Sequence, residues 1–298
     1  MKELTPQVII EELNKVDYFI NIQTATIIFL AIKLKRPVLI EGPAGVGKTS
    51  IAKAISKAFS YDFLKLQCYE GIDESKALYD WEYSKQLLYT QVLKEKLNEN
   101  FKNKSIHQML NDINKLDSLF FSENFLIERP LLKAIKNKHK TLLLIDEIDK
   151  SEPEFEAFLL EILSEFEVTI PEIGTIKNNQ IPLIILTSNG ERVLSDALRR
   201  RALFLYIDYP NKELELKIIK RNVPDLDEIN LKKLTEIISK IRNYPLKKTP
   251  GTSEAIEWAK SLLFLGGFNK NNLESTISII SKYNTDIEYI KARIEDFF

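Results

Sequence analysis

Along the first two-thirds of the chain, short apolar runs rich in β-branched residues alternate with stretches whose apolar positions recur at helical spacing. Val38–Glu41, Phe63–Gln67, Leu142–Asp146, Leu183–Thr187 and Leu203–Ile207 are short and nearly continuous runs. That pattern predicts strands buried on both faces of a parallel sheet. Helical pattern lies before or between them at Ile22–Leu34, Thr49–Phe59, Phe155–Phe166 and Val193–Arg200. In the third, Phe155, Phe158, Leu159 and Ile162 share one face, and Ser151 with Glu154 reads as a capping box ahead of it. Met1 to Lys15 is acidic and polar, which suits a helix opened by Thr5 and Pro6 better than a signal peptide. The fold class is α/β.

After Pro210 the strand pattern ends. Lys212–Arg221, Leu226–Ile241, Ser253–Leu265 and Asn271–Phe298 carry helix-period apolar residues, broken by Pro224, Pro245, Pro250 and the Gly266-Gly267 pair. The expectation is an α/β domain over 1–209 and a small all-helical domain over 210–298. Between the strands ending near Cys68 and starting after Lys140, the chain is far longer than the dozen or so residues of a plain crossover. An insert is expected over about 69–140, mostly helical and charged at Leu87–Leu97 and Ile106–Leu119, on the surface of the sheet.

Composition narrows the function. The chain has 298 residues, with 42 Lys+Arg against 43 Asp+Glu, so no overall field draws it to nucleic acid or an anionic membrane. No uncharged apolar run reaches the roughly 18 residues of a membrane span; the start at Ile22–Ile32 closes at Lys33, Lys35 and Arg36. Cys68, His107 and His139 cannot supply a structural zinc site, and a lone cysteine forms no internal disulfide, which fits a reducing cytoplasm.

Between the first strand and the next helix lie Gly42, Pro43, Ala44, Gly45, Val46, Gly47, Lys48 and Thr49, followed by Ser50. Strand, glycine-rich loop and helix in this order are the setting of a phosphate-binding loop. Glycines let backbone N–H groups wrap a phosphate chain, and the helix amino terminus adds positive potential. Lys48 would reach the β and γ phosphates and the Thr49 hydroxyl would ligate Mg²⁺. Leu142-Leu-Leu-Ile-Asp146-Glu147 puts two carboxylates at the end of a buried strand, Asp146 to hold Mg²⁺ partly through water and Glu147 to activate the attacking water. Thr187-Ser188-Asn189 ends another strand with a neutral side chain suited to sensing a γ-phosphate. Arg199, Arg200 and Arg201 close a helix, either as a solvated basic end or as a patch for nucleic acid.

In this order the motifs resemble those of AAA+ ATPases, and more narrowly the MoxR branch. Leu66-Gln-Cys-Tyr-Glu-Gly71, Ala77-Leu-Tyr-Asp-Trp-Glu82, Gln86-Leu-Leu88, Glu161-Ile-Leu163 and Thr187-Ser-Asn-Gly-Glu-Arg192 are similar to MoxR proteins encoded near von Willebrand factor A domain partners. The resemblance implies a five-stranded parallel sheet with a helical lid, Asn189 as sensor 1, and a ring, commonly a hexamer, with ATP at each subunit boundary. It implies an arginine finger supplied by the neighbour, Arg201 or Arg200 before Arg199. It also implies a β-hairpin over about 167–178, where Pro171 and Gly174 flank a turn.

One departure is that Thr249-Pro-Gly-Thr-Ser-Glu254 holds no lid arginine, leaving Lys247 or Lys248 as the nearest cations. The function expected is ATP hydrolysis spent on remodelling a protein partner, as in chaperones for maturation or metal insertion. The rival readings are a DNA-directed motor or loader, against which the neutral charge argues, and a nucleotide-dependent scaffold with incidental turnover.

Overall fold

The computed structural model describes residues 3–101, 120–171, 173–178 and 180–297, with backbone alone over 93–101. Five strands form the central sheet: β1 (Val38–Glu41), β2 (Asp62–Gln67), β5 (Thr141–Asp146), β8 (Leu183–Ser188) and β9 (Leu203–Tyr206). All pairings are parallel, in the order β2-β5-β8-β1-β9. The expected strands therefore form, each within a residue of its predicted end.

Strand alternation divides the core into two layers. Leu143 and Ile145 join Leu39, Ile184, Leu186 and the helices Pro130–Lys136 and Pro153–Glu165 on one face. Leu142 and Leu144 join Val38, Ile40 and the helices Pro6–Lys15, Ile22–Leu34 and Lys48–Phe59 on the other. Both faces are covered, so every residue of β5 and β8 is buried. Thr5 caps the first helix as expected, its side chain accepting the Val8 N–H at 3.2 Å, with Pro6 at its first position.

Three expectations need correction. Ser151 does not cap the Pro153–Glu165 helix: Pro153 fixes the first helical position, so Glu152 becomes the cap residue, and the Ser151 hydroxyl donates instead to the Ile148 carbonyl at 2.8 Å. The insert is not purely a surface elaboration. Its Pro130–Lys136 helix buries Leu131, Leu132, Ala134 and Ile135 in the sheet core, and an antiparallel ribbon pairs β3 (Tyr79–Trp81) with β4 (Leu126–Glu128). The helix predicted around Leu87–Leu97 runs over Tyr83–Phe101, while Ile106–Leu119 lies outside the described residues. Finally, the pattern Asn271–Phe298 is not one helix but two, Lys270–Ile280 and Asn284–Lys291, with a 3₁₀ turn at Ile294–Phe297. The break follows Ser281, whose backbone is extended. Past it, buried Asp286 accepts the N–H groups of Lys247 at 3.1 Å and Lys248 at 3.2 Å.

A hairpin joins β6 (Glu167–Ile170) to β7 (Gly174–Lys177) just before β8. From Lys212 onward the chain is helical and has its own core, centred on fully buried Trp258, whose indole N–H donates to Thr276 Oγ1 at 2.8 Å. Within it Arg242 and Glu215 make a buried bidentate pair at 2.9 and 2.6 Å.

Candidate active site

The parallel sheet brings the carboxyl ends of β1, β5 and β8 side by side, and the candidate residues follow directly from those ends. The loop after β1 passes so close to the chain after β9 that a methyl group on Gly42 would stand 2.0 Å from the Ile207 carbonyl oxygen. Gly47 takes a φ of 97°, in the left-handed region that favours glycine, and caps the Lys48–Phe59 helix.

Lys48 is 7% exposed, and its ammonium donates to the carbonyls of Gly42 and Pro43 and to Asn189 Oδ1, each at 2.7 Å. Burial lowers its pKa, against the opposing pull of the carboxylates of Asp149, Asp146, Glu147 and Glu41. The Thr49 hydroxyl donates to Asp146 at 3.0 and 3.2 Å. Burial alone would raise the pKa of Asp146, but hydrogen bonds from Lys65, Thr187 and Thr49 override it and hold the carboxyl below its ordinary range. Glu147 has a left-handed backbone, φ 57°, and its carboxylate accepts from Gln67 at 2.9 Å, Lys150 at 2.8 Å and Asn189 Nδ2 at 3.4 Å.

Lys48, Thr49, Asp146, Glu147 and Asn189 thus form one connected polar cluster. Hard oxygen donors in Thr49 and Asp146 suit Mg²⁺, and a buried ammonium held only by carbonyl and amide oxygens can exchange them for phosphate oxygens.

Several members of the cluster escaped the sequence reading. Lys65 lies 2.7 Å from Asp146 Oδ2. Thr187 donates to Asp146 Oδ1 at 2.5 Å while accepting the Glu147 N–H at 2.9 Å. Asp149, 4% exposed, accepts the backbone N–H groups of Asn189 and Glu191, both at 3.0 Å. A lysine flanked by Leu64 and Leu66 within a strand was the available signal for Lys65, and strand-end placement was the signal for Thr187.

The arginines separate. Arg199 pairs with Glu41 at 2.9 Å. Arg201 donates to the Leu160 carbonyl and to Ser164 Oγ. Arg200 is exposed, and its guanidinium has no hydrogen bond or ion pair among the described residues.

A cavity of about 750 Å³ adjoins the loop, bordered by Tyr18, Gly45, Gly47, Tyr206, Asp208 and Thr252, and is of the size that holds a small ligand. The Tyr18 hydroxyl donates to the Gly47 carbonyl at 3.3 Å, and burial pushes its pKa up. The C-terminal helices reach the same place: the Thr252 N–H donates to the Gly45 carbonyl at 3.1 Å, and a methyl on Gly45 would stand 2.9 Å from Glu254 Oε2. Lys247 and Lys248 are exposed, and the Lys247 ammonium lies 5.7 Å above the Tyr283 ring.

The fold, with its phosphate-loop sequence between β1 and the Lys48–Phe59 helix, is that of the AAA class of P-loop proteins. The chain belongs to the AAA domain family of the dynein-related subfamily, whose model matches residues 37–202. It is similar to an uncharacterised protein of Staphylococcus saprophyticus, 24% identical over 216 residues that cover 70% of each chain. It is also similar to the gas vesicle ATPase GvpN of Haloferax mediterranei, 24% identical over 249 residues, 80% of this chain and 65% of GvpN. An uncharacterised protein of Staphylococcus aureus is 22% identical over 238 residues, 78% of this chain and 77% of its own. Among the described residues no helix is long and apolar enough to cross a membrane.

Proposed function

We propose that this chain is a Mg²⁺-dependent ATPase that works in a homo-oligomeric ring, a hexamer as AAA proteins commonly are, and spends hydrolysis on remodelling a protein partner. The observation that carries this reading is the convergence of Lys48, Thr49, Asp146, Glu147 and Asn189 on one loop. Thr49 and Asp146 would hold Mg²⁺, which when bound screens phosphate charge. Lys48 would give up its carbonyl partners for the phosphates. Glu147 would accept the proton of the attacking water, held in place by Gln67 and Asn189. The adjoining cavity would take the nucleoside. Arg200, with a free head, would complete a neighbour's site.

A MoxR-type role in the cytoplasm beside a von Willebrand A domain protein rests on the five sequence strings quoted above, and the printed name of GvpN, an ATPase, agrees with the chemistry.

The test is Mg²⁺-dependent ATP turnover. Lys48→Ala should abolish nucleotide binding, whereas Glu147→Gln should bind ATP normally and turn over at least about 10²-fold more slowly. A Glu147→Gln protein that hydrolyses near the parental rate overturns the assigned base. The same variant, saturated with ATP, should retain a von Willebrand A domain protein that Lys48→Ala does not. Equal retention by both would remove the remodelling reading.

A further inference from the structure

We infer that Arg192 and the buried Glu156 form a strut that aims Arg200, making Arg192 a positioning residue for the neighbouring subunit's site rather than for its own. The inference rests on the proposed role of Arg200 as a finger given in trans.

Glu156, on the Pro153–Glu165 helix, is 1% exposed. A buried carboxylate is tolerated only when paired and hydrogen-bonded. Both of its oxygens are used, and both partners lie on the short segment leading to the arginine helix. Oε1 accepts from the Arg192 guanidinium, which also donates to the Ser151 carbonyl at 2.7 Å, and Oε2 accepts the Ser195 N–H at 2.9 Å. Ser195 in turn caps the Asp196–Arg201 helix, its hydroxyl accepting the Leu198 N–H at 3.3 Å. The beginning of the arginine helix therefore hangs on Glu156.

Its end is tied to the same Pro153–Glu165 helix, where Arg201 meets Leu160 and Ser164. The Arg36 guanidinium holds the carbonyls of Arg200 at 2.6 Å and Arg201 at 2.9 Å. A helix of six residues cannot fix its own direction, so these anchors do. They immobilise the backbone at Arg200 and leave its side chain unengaged, the arrangement needed by a group whose acceptor belongs to another chain.

The strut does not hold the subunit's own reactive groups. Asn189 is fixed by Asp149 and Lys48, Asp146 by Lys65, Thr49 and Thr187, and neither set includes Arg192. Loss of the strut should therefore cost a subunit its ability to donate a finger while sparing its ability to receive one.

Mixing of tagged, co-assembling variants reads that direction. Arg192→Ala alone should lower kcat at least tenfold with KM for ATP unchanged, and Arg192→Lys should recover part of the loss. Mixed with Lys48→Ala, which has a dead site and an intact finger, Arg192→Ala should regain activity. Mixed with Arg200→Ala it should stay low, because every site then faces a defective donor. Glu156→Gln, which removes the fully buried charge and leaves only the part-exposed Arg192 guanidinium without its counter-ion, should behave in the same way and carries the test if Arg192→Ala does not fold.

Recovery with Arg200→Ala but not with Lys48→Ala would overturn the inference and return Arg192 to its own subunit's site, and parental turnover by both strut variants would overturn it outright. The control mixture of Lys48→Ala with Arg200→Ala must recover. If it stays dead although the two co-purify, the trans finger falls, and the strut's role with it. If it recovers while Arg192→Ala with Lys48→Ala does not, the strut alone is refuted.

Discussion

Lys48 and Arg200 are both cations on elements that follow or precede strands of the one sheet, yet the fold treats them in opposite ways. Lys48 is 7% exposed and donates to three oxygens of its own chain. Arg200 is exposed, its backbone is clamped by Arg36, and among the described residues its guanidinium meets no acceptor. Desolvating a charge without partners is expensive, so a buried ammonium must be satisfied within the chain whether or not a ligand is present. A charge left in water costs little to hold ready. The first arrangement builds a site that is complete on its own side, and the second leaves a group available to a neighbour's.

The largest effect that could break this comparison is catalytic. Arg200→Ala should lower ATP turnover by about 10³-fold with nucleotide affinity nearly unchanged, because a finger acts on charge that develops only in the transition state. Arg201→Ala should cost less than about tenfold, since that guanidinium is already committed to Leu160 and Ser164 and serves only to place its neighbour. Steady-state kinetics on the two variants decides the matter. Equal losses, or a loss confined to Arg201, would mean that freedom from partners in the single chain does not mark the finger.

A smaller effect concerns the buried side of the comparison, where Asp146 is held below the ordinary carboxylate range despite its burial. A depressed carboxyl pKa contributes stability that is fully present above the unfolded value of about 3.9 and is lost as pH falls through the folded value. Asp146 is therefore ionised and ready for a cation throughout the neutral range. Lys65→Met removes the cation 2.7 Å from Asp146 Oδ2 and leaves burial less opposed, so its titration moves upward. Mg²⁺-dependent nucleotide binding, followed as pH is lowered from 7, should begin to fail at a higher pH in this variant than in the parent. Coincident acid limbs would show that Thr187 and Thr49 suffice without Lys65.

The halves of this arrangement were unequally legible in the sequence. Glycine spacing between a strand and a helix announces the phosphate loop, because only that local geometry needs those residues, and four apolar positions ahead of Asp146 place it at a strand end. Lys65 and Thr187 reach Asp146 across neighbouring strands, a relation set by sheet order and invisible to local pattern. The choice between Arg200 and Arg201 likewise turns on Leu160 and Ser164, distant in sequence. The ribbon of β3 and β4 was missed because three-residue strands are too short to display alternation. The false capping box shows the opposite failure: Ser151 and Glu154 have the right spacing, but Pro153 shifts the helix start by one residue.

Glu254 is the exception that sharpens the comparison, and it carries the smallest expected effect. Its Oε2 is buried and has no hydrogen-bond partner among the described residues, although the helix amino terminus it sits on favours a carboxylate. It stands against Gly45, on a helix whose Thr252 N–H donates to the loop itself. A carboxylate there opposes phosphate by like-charge repulsion, of which screening by solvent and counter-ions leaves a remainder of about 1 kcal/mol. Glu254→Gln keeps the shape and removes the charge, so Kd for ATP should fall about fivefold, the equivalent of that remainder, while kcat stays within about twofold. Titration with a fluorescent ATP analogue measures it. A rise in Kd instead would mean that the carboxylate supports the loop's geometry rather than opposing its ligand.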